Sequence, residues 1–340
     1  MATKKHRIDG DTAKKLKQFE VDMENVMQTD DREKRFLRIV EMCVNFIAST
    51  GATEQLKKSF SEWETDRVMQ FFGVSSSKDY ADSKLVPDPV QKLPSKVVAP
   101  LQQQIDICWK FTKGFFGKSE AARVKMLNTI LMNLAIPLFQ EHVYNVDEGW
   151  LDSEIAGGRV EFVMYAYGVV IMHVLEAKKD QIEAGEAQLM MELFSASLMN
   201  RSKGFEMPVV GAVSTVTKTH VLVYFPRENK FARGPAVDVP GFGSSDLRNS
   251  GLVETLAGAL LSAFDYASQV VLPMIAKHQK ASPELQKKAQ LALKSREAAF
   301  KDPHKDDYAT LEKWVNELPN AESYGTLFHI SASGVLSSKT

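Results

Sequence analysis

Two adjacent apolar runs that also carry charged residues constrain this chain most. Residues 159–165 and 169–178 are rich in Val, Ile, Phe, Tyr and Met, and Tyr167-Gly168 lies between them. Short runs of this composition around a two-residue turn predict a β-hairpin. Because strand side chains alternate between faces, Glu176 and Lys178 are expected on one face. The hairpin therefore holds an acid and a lysine together within an otherwise apolar sheet.

The expected hairpin register brings a second acid to the same face. A two-residue loop pairs Ala166 with Val169 and, counted back along the ladder, puts Glu161 opposite Val174. Glu161 would then lie diagonal to Glu176, with roughly 7 Å or less between their Cβ atoms. Two such carboxylates repel, and Mg²⁺ or Mn²⁺ offsets the repulsion because both ions prefer carboxylate and phosphate oxygens. The alternative is a solvated strand end whose ion pair contributes under about 1 kcal/mol.

The order of these residues resembles the PD-(D/E)XK nuclease superfamily. That pattern has an acid in a first strand, Glu-x-Lys at the end of a second strand, and a glutamine in the following helix. The segments 157–162, Gly-Gly-Arg-Val-Glu-Phe, and 174–179, Val-Leu-Glu-Ala-Lys-Lys, are similar to Crinkler-type effector nucleases of fungi and oomycetes and to restriction-type subunits. In this resemblance, which covers residues 120–240, the first acid is Glu161, the pair is Glu176 and Lys178, and the helical glutamine is Gln188. In that superfamily the first acid is more often Asp, so Glu161 would reach a metal through a longer side chain.

The resemblance implies a fold, a reaction and a cofactor. The fold is α/β, with a restriction-endonuclease-like mixed sheet core flanked by helices and with extra N-terminal and C-terminal helices. The reaction is hydrolysis of phosphodiester bonds in DNA or RNA, with Mg²⁺ or Mn²⁺ held by Glu161 and Glu176 and with Lys178 stabilising charge. An inactive nuclease fold that binds nucleic acid or regulates a partner is the alternative. An all-helical interaction protein is a third hypothesis.

In that family a helical glutamate ahead of the hairpin often completes the metal site. Glu141 is the residue expected here, and His142 competes with it because related viral endonucleases use a histidine there. Both follow Pro137, which should kink or restart a helix. Asp152, in a predicted first strand, is the fallback acid if Glu161 is misplaced.

Contact with nucleic acid must come from local patches, because the formal net charge is only −1 at pH 7. Basic residues beside aromatic ones favour contacts with phosphates and with flexible nucleic-acid strands. For the first patch, a turn with buried phenylalanines and solvated lysines is the alternative. That patch, near Trp109 and Phe111, comprises Lys110, Lys113, Lys118 and Arg123, and a second, near Phe225 and Phe231, comprises Arg227, Lys230 and Arg233.

Periodicity and composition divide the chain into four regions. Apolar residues spaced by threes and fours predict helices over residues 10–72, the third opening near Thr53. Serines and prolines over residues 73–100 indicate a linker. Farther along, a helical pattern between two strand-like runs predicts a crossover to a parallel strand. The expected regions are helical at 1–75, a linker at 76–100, the nuclease-like core at 101–250 and C-terminal helices at 251–340.

The sequence favours an intracellular protein, cytoplasmic or nuclear, that does not enter a membrane. The N-terminus has no apolar signal segment, and no segment approaches the roughly 18 consecutive apolar residues of a membrane span. Cys43 and Cys108 lie in apolar helical stretches and lack the spacing of a zinc site, as expected in a reducing compartment. The oligomeric state stays open.

Overall fold

The structure is a computed structural model. It describes residues 10–27, 38, 39, 42, 58–74, 85–90, 92–112, 119–239, 251–301, 308–320 and 327–328. The chain divides into two compact units, Met1–Ser59 with Glu154–Gly157, and Phe60–Ser153 with Gly158–Thr340. Every candidate site residue within the described ranges belongs to the second unit.

The first unit contains helix α1, Gly10–Met27, and the short strand β1, Lys58–Ser59. β1 runs parallel to the start of strand β3, with Lys58 opposite Ala156. A continuous helix through residues 53–72 is therefore wrong. The hydrogen bond from Lys58 N–H to the Ile155 carbonyl comes from a distant part of the chain, which local periodicity cannot reveal.

The strands form a mixed, open sheet, so the α/β class with a mixed sheet flanked by helices is confirmed. β3 and β4 are antiparallel, β4 and β5 are parallel, and β6 is antiparallel to β5, β7 and β8. The sheet order is β1-β3-β4-β5-β6-β7, with β2 also paired to β3 and β8 to β6. The remaining bounds are β2 Val143–Asp152, β3 Ala156–Ala166, β4 Val170–Ala177, β5 Val209–Ser214, β6 Lys218–Phe225, β7 Lys230–Arg233 and β8 Val237–Asp238.

Seven described helices accompany the sheet in the second unit, and two of them define its faces. Helix α5 joins the parallel strands β4 and β5, because a parallel pair needs a crossover. It packs on the face of Gly211, where an added Cβ would lie 2.9 Å from Leu189 Cδ1 of that helix. On the opposite face, Leu175 of β4 and Leu256 of helix α6 both belong to the main hydrophobic core. The helices are α2 Thr65–Phe71, α3 Ser95–Thr112, α4 Glu120–Phe139, α5 Ile182–Ser202, α6 Leu252–Lys277, α7 Pro283–Lys301 and α8 Tyr308–Glu317.

The hairpin of β3 and β4 is present, but its register differs from the expected one. Tyr167 and Gly168 have φ angles of 55° and 67°, as a tight hairpin turn requires. Ala166 pairs with Val170 rather than with Val169, and a bulge shifts the later pairs. The shift at the turn and the bulge, which leaves Met172 without a partner, each move the register by one residue. The expected pairing of Glu161 with Val174 is therefore wrong, and Val163 takes that place.

Helix α6 is apolar because it belongs to the core. By length and composition it could cross a membrane, yet 61% of its most apolar window is buried within the structure. Leu256, Leu260 and Phe264 are completely buried in the main hydrophobic core. Among the described helices only this one meets the length and composition criteria. Location in the cell stays a prediction.

Candidate active site

Glu176 and Lys178 lie where the buried strand β4 ends. Every residue of β4 is buried, and Glu176 is only 2% exposed. The backbone N–H of Lys178 donates to the Ser214 carbonyl at 2.9 Å, so the end of β4 stays tied to β5. The ammonium Nζ of Lys178 lies 2.6 Å from Glu176 Oε1, and the lysine side chain is 22% exposed. A charged pair is thereby held at the boundary between the core and solvent.

Glu161 projects from β3 to the same face as Glu176. Val163 and Val174 are directly paired, and each acid lies two residues from one member of that pair. Because strand side chains alternate, both acids point to the face of the paired valines. Burial raises the pKa of the half-buried Glu161, and the charge of Glu120 raises it further while Lys178 opposes the shift. The two acids and the lysine therefore meet at one edge of the sheet.

Helix α5 adds two polar side chains to this group. Lys178 Nζ donates to Gln188 Oε1 at 2.8 Å. Gln188 Nε2 in turn donates to Glu192 Oε1, one helical turn farther on, at 2.8 Å. The result is a continuous polar network from Glu176 through Lys178 and Gln188 to Glu192, and helix α5 covers it.

Burial sets the charge state of this network. It raises the pKa of Glu176 to about 7, against the opposing influence of Lys178. It raises the pKa of the fully buried Glu192 well above its ordinary value, and the charge of Glu176 adds to that shift. Burial lowers the pKa of Lys178, but Glu176 outweighs it and the net shift is upward. Lys178 is therefore an ammonium ion, and burial makes Glu176 and Glu192 harder to ionise than ordinary carboxyl groups.

Two carboxyl groups of the network also interact with each other. A side-chain hydrogen bond joins Glu176 and Glu192, which adds to the rise in the pKa of Glu192 and opposes the rise at Glu176. Within the described ranges, no group of three or more His, Cys, Asp or Glu residues is arranged to hold a metal ion. Mg²⁺ needs fewer protein ligands than that, since it commonly keeps several waters and uses one or two carboxylates plus substrate phosphate. Glu161 and Glu176 fit such a site.

Gly185 explains how helix α5 approaches the lysine so closely. A Cβ at this position would lie 2.7 Å from Val213 Cγ2 and 2.8 Å from Lys178 Cγ. Real Cβ atoms essentially never come this near. The missing side chain lets the first turns of α5 rest on β5 and on the stem of Lys178, which brings Gln188 within reach of the ammonium.

The structure does not bring Glu141 to this group. Pro137 lies inside α4, and Glu141 and His142 form a 3₁₀ turn after that helix. The His142 carbonyl accepts from Tyr167 N–H at the hairpin turn. Tyr167 is six residues of strand from Glu161, or about 20 Å. His142 is buried, which lowers its pKa despite nearby Glu141.

Glu120 is a helical acid whose charge acts on the candidate site. It is the first residue of α4, after Ser119, whose hydroxyl accepts from Ala122 N–H at 3.2 Å. Its charge raises the pKa of both Glu161 and Lys178. Ser119 is a recognisable helix-start signal in the sequence, but nothing local shows that this helix begins beside β3. The fallback acid Asp152 is exposed at the end of β2.

The first basic patch is only partly described. Lys113 and Lys118 lie outside the described residues, and Lys110 is exposed near the end of α3. Arg123 is only 5% exposed, and its guanidinium donates to the backbone carbonyls of Lys178 and Lys179. Arg123 therefore holds the chain at the end of β4 and presents little surface to a ligand.

The second basic patch separates into two places. Arg227 follows β6 and pairs with Glu206 at 3.4 Å, and Lys230 is exposed at the start of β7. Arg233, at the other end of β7, has its Nη1 atom 3.1 Å from Glu186 Oε1 of helix α5. His220 of β6 also contacts this carboxylate through Nδ1. Arg233 thus belongs to a buried ionic cluster on the face that carries Glu176.

Comparison of the chain with protein-family models, with curated proteins and with solved structures found no significant match. A functional assignment therefore depends on the fold and on the geometry of the site.

Proposed function

We propose that this chain is a metal-dependent nuclease with a restriction-endonuclease-like core that hydrolyses phosphodiester bonds of DNA or RNA. The observation that carries the proposal is the convergence of Glu161, Glu176, Lys178 and Gln188 on one edge of the sheet. They come from β3, the end of β4 and the following helix, in the order of the PD-(D/E)XK pattern. Four side chains of the required types meet although they are spread over 28 residues of chain.

Glu161 and Glu176 would hold Mg²⁺ or Mn²⁺ at this edge. When bound, such an ion lowers the pKa of a coordinated water and stabilises charge on phosphate oxygens. The common face of Glu161 and Glu176 on the paired strands β3 and β4 supports this role, because Mg²⁺ commonly uses one or two carboxylates. Glu120 replaces Glu141 as the acid that could assist from the helix before the hairpin.

Lys178 supplies positive charge in this proposal rather than accepting a proton. Its raised pKa keeps the ammonium charged, and Glu176 and Gln188 fix its direction. An ammonium held in this way donates hydrogen bonds to a phosphate oxygen whose negative charge grows during attack. Gln188 binds the lysine through its carbonyl oxygen, so the glutamine acts by positioning Lys178.

The position of the site suits an extended polyanionic substrate. β4 and β5 are parallel, and Lys178 follows the carboxyl end of β4. In open α/β sheets, ligands bind outside the carboxyl ends of the strands. Glu161 and Lys178 are both partly exposed there, whereas Glu192 of α5 is fully buried. A phosphodiester would therefore approach from the sheet edge.

Cleavage assays with matched variants test the proposal. The purified chain is incubated with labelled single-stranded and duplex DNA and RNA in Mg²⁺, in Mn²⁺ and in EDTA. We expect cleavage that needs metal and falls at least 100-fold in Glu176→Gln and Lys178→Met, equivalent to about 2.7 kcal/mol of barrier. Lys179→Met is the control, because Lys179 is the exposed neighbour of the proposed residue. Equal activity in Lys178→Met and Lys179→Met contradicts the assignment.

A second candidate is an inactive nuclease fold that binds nucleic acid or regulates a partner. It is favoured by the 2.6 Å contact in which Lys178 already neutralises Glu176, since that contact competes with a metal. Binding of the same oligonucleotides without cleavage in either metal supports this module.

A further inference from the structure

Beside the candidate active site lies a second cluster of ionisable residues that the proposed hydrolysis does not use. Glu186 of α5, His220 of β6 and Arg233 of β7 form it. Their side chains are 4%, 8% and 19% exposed, so the cluster is buried with Arg233 at its rim. A buried ionic cluster contributes little net stability, because desolvation opposes the attraction between the charges. Its presence here calls for another explanation.

The register of the sheet places this cluster next to Glu176. Glu176 pairs with Val213, and Val213 pairs with His220. Directly paired side chains share a face, so all three project toward α5. Glu176 and His220 lie two strands apart, which puts their Cα atoms about 10 Å from each other. Gly185 rests on Val213 at the centre of this row, and Glu186 follows it in the helix.

The carboxylate of Glu186 holds the other two side chains in place. Arg233 Nη1 lies 3.1 Å and 3.2 Å from its two oxygens, and His220 Nδ1 contacts Oε1. Burial opposes ionisation of Glu186, but the hydrogen bond and charge of His220 and the charge of Arg233 outweigh it and lower the pKa. The ionised carboxylate orients the imidazole through Nδ1. Within the described part of the chain, no residue hydrogen-bonds to His220 Nε2.

We propose that His220 and Arg233, oriented by Glu186, bind the backbone phosphate next to the one that is cleaved. This inference rests on the proposed function, because it places a nucleic-acid strand across the carboxyl ends of β4 and β5. Arginine is suited to phosphate, and an imidazole fixed through Nδ1 presents Nε2 in a defined direction.

Salt dependence of binding separates a phosphate contact from a purely structural role. The equilibrium binding of fluorescent single-stranded and duplex oligonucleotides is measured in EDTA, over a series of salt concentrations, with the full chain carrying Glu176→Gln. A plot of log K against log salt has a negative slope. Each lost phosphate contact makes that slope less steep, by about 0.7 for single strands and about 0.9 for duplexes. We expect His220→Gln and Arg233→Gln each to weaken binding, and we expect Arg233→Gln, which removes a full positive charge, to change the slope by that amount.

Arg296→Gln is the matched control. Arg296 of helix α7 is an arginine paired with a carboxylate, that of Asp265, and its side chain is 21% exposed against 19% for Arg233. We expect its slope to equal that of the parent chain. A lower melting temperature in both variants, with unchanged affinity in His220→Gln and an unchanged slope in Arg233→Gln, assigns the cluster to folding and overturns the proposal.

A measurement on the unsubstituted chain covers the case in which those variants do not fold. The ring nitrogens of His220 are followed by ¹⁵N NMR while a short single-stranded oligonucleotide is added in EDTA. A saturable shift is expected, and an unchanged resonance alongside measurable binding contradicts the contact. Because both experiments omit metal, absence of cleavage would remove the nuclease proposal without deciding this one.

Discussion

Gln188 donates its side-chain amide to Glu192 Oε1 at 2.8 Å, which fixes the direction of its carbonyl oxygen toward Lys178. Exchanging the two residues tests this relationship. In Gln188→Glu alone, two carboxylates face each other, and we expect cleavage to fall at least tenfold. Adding Glu192→Gln reverses the pair, so that the amide at position 192 donates to the carboxylate at position 188, which still accepts from Lys178.

The double variant should therefore regain most of the lost activity. A double-mutant cycle on unfolding should give a favourable coupling of about 1–3 kcal/mol. The readout is melting temperature together with cleavage rate for the parent, both single variants and the exchange. If the double variant is no more active than Gln188→Glu, then the site needs a carboxyl group at position 192 itself, and a hydrogen bond between positions 188 and 192 is not enough.

Stability should fall as pH rises through the acid range. Burial raises the pKa of Glu176 from the ordinary 4.5 to about 7, and those of Glu161 and Glu192 also move upward. Between pH 4.5 and 7 the folded chain holds protons that the unfolded chain has lost. The stabilisation of the folded chain by these protons is therefore complete below pH 4.5 and is lost above pH 7. For Glu176 it amounts to about 3 kcal/mol.

Chemical unfolding at several pH values between 4.5 and 7.5 measures this effect. Glu176→Gln is the comparison, because a glutamine resembles the protonated acid at every pH. The parent chain should lose stability relative to Glu176→Gln as pH rises. A constant difference between the two chains would show that Glu176 titrates normally.

Arg123 offers a direct contrast between a structural and a ligand-binding arginine. Its guanidinium donates to the carbonyls of Lys178 and Lys179 and is nearly inaccessible. We expect Arg123→Met to lower stability by about 1–3 kcal/mol, as loss of buried charged hydrogen bonds does. Nucleic-acid binding should keep its salt slope, measured at a temperature where the variant is folded. A less steep slope would instead show that Arg123 contacts phosphate, as its position in the first basic patch predicts.

Alternation and periodicity are enough to predict most of the elements that build the site. Apolar runs indicate β3 and β4, and the helical spacing after Lys178 indicates α5 with Gln188 and Glu192 on one side. These signals are local, since each depends on residues within one or two turns of the chain. They place Glu176 and Lys178 on one face without knowledge of the rest of the fold.

The parts that the sequence does not predict depend on distant residues. The bulge at Met172 changes the partner of Glu161, and no residue type announces it. Glu120 stands 41 positions before Glu161, and only the packing of α4 brings their charges together. Pro137 suggests a new helix that would carry Glu141, whereas the proline is accommodated in the last turn of α4. Tertiary packing decides each case.

Gly185 provides the last prediction, because its missing side chain sets the distance between α5 and Lys178. In Gly185→Ala the new Cβ meets Lys178 Cγ and Val213 Cγ2 at under 3 Å. Gly211→Ala is the control, since its Cβ meets Leu189 and Leu193 of the same helix at 2.9 Å without touching the lysine. Overpacking of this kind costs about 1–3 kcal/mol, so both variants should melt earlier. Only Gly185→Ala should also lower cleavage, by roughly tenfold, because the helix moves Gln188 away from the ammonium. Equal cleavage by the two variants, each assayed well below its melting temperature, would contradict a role for the α5 contact in positioning Lys178.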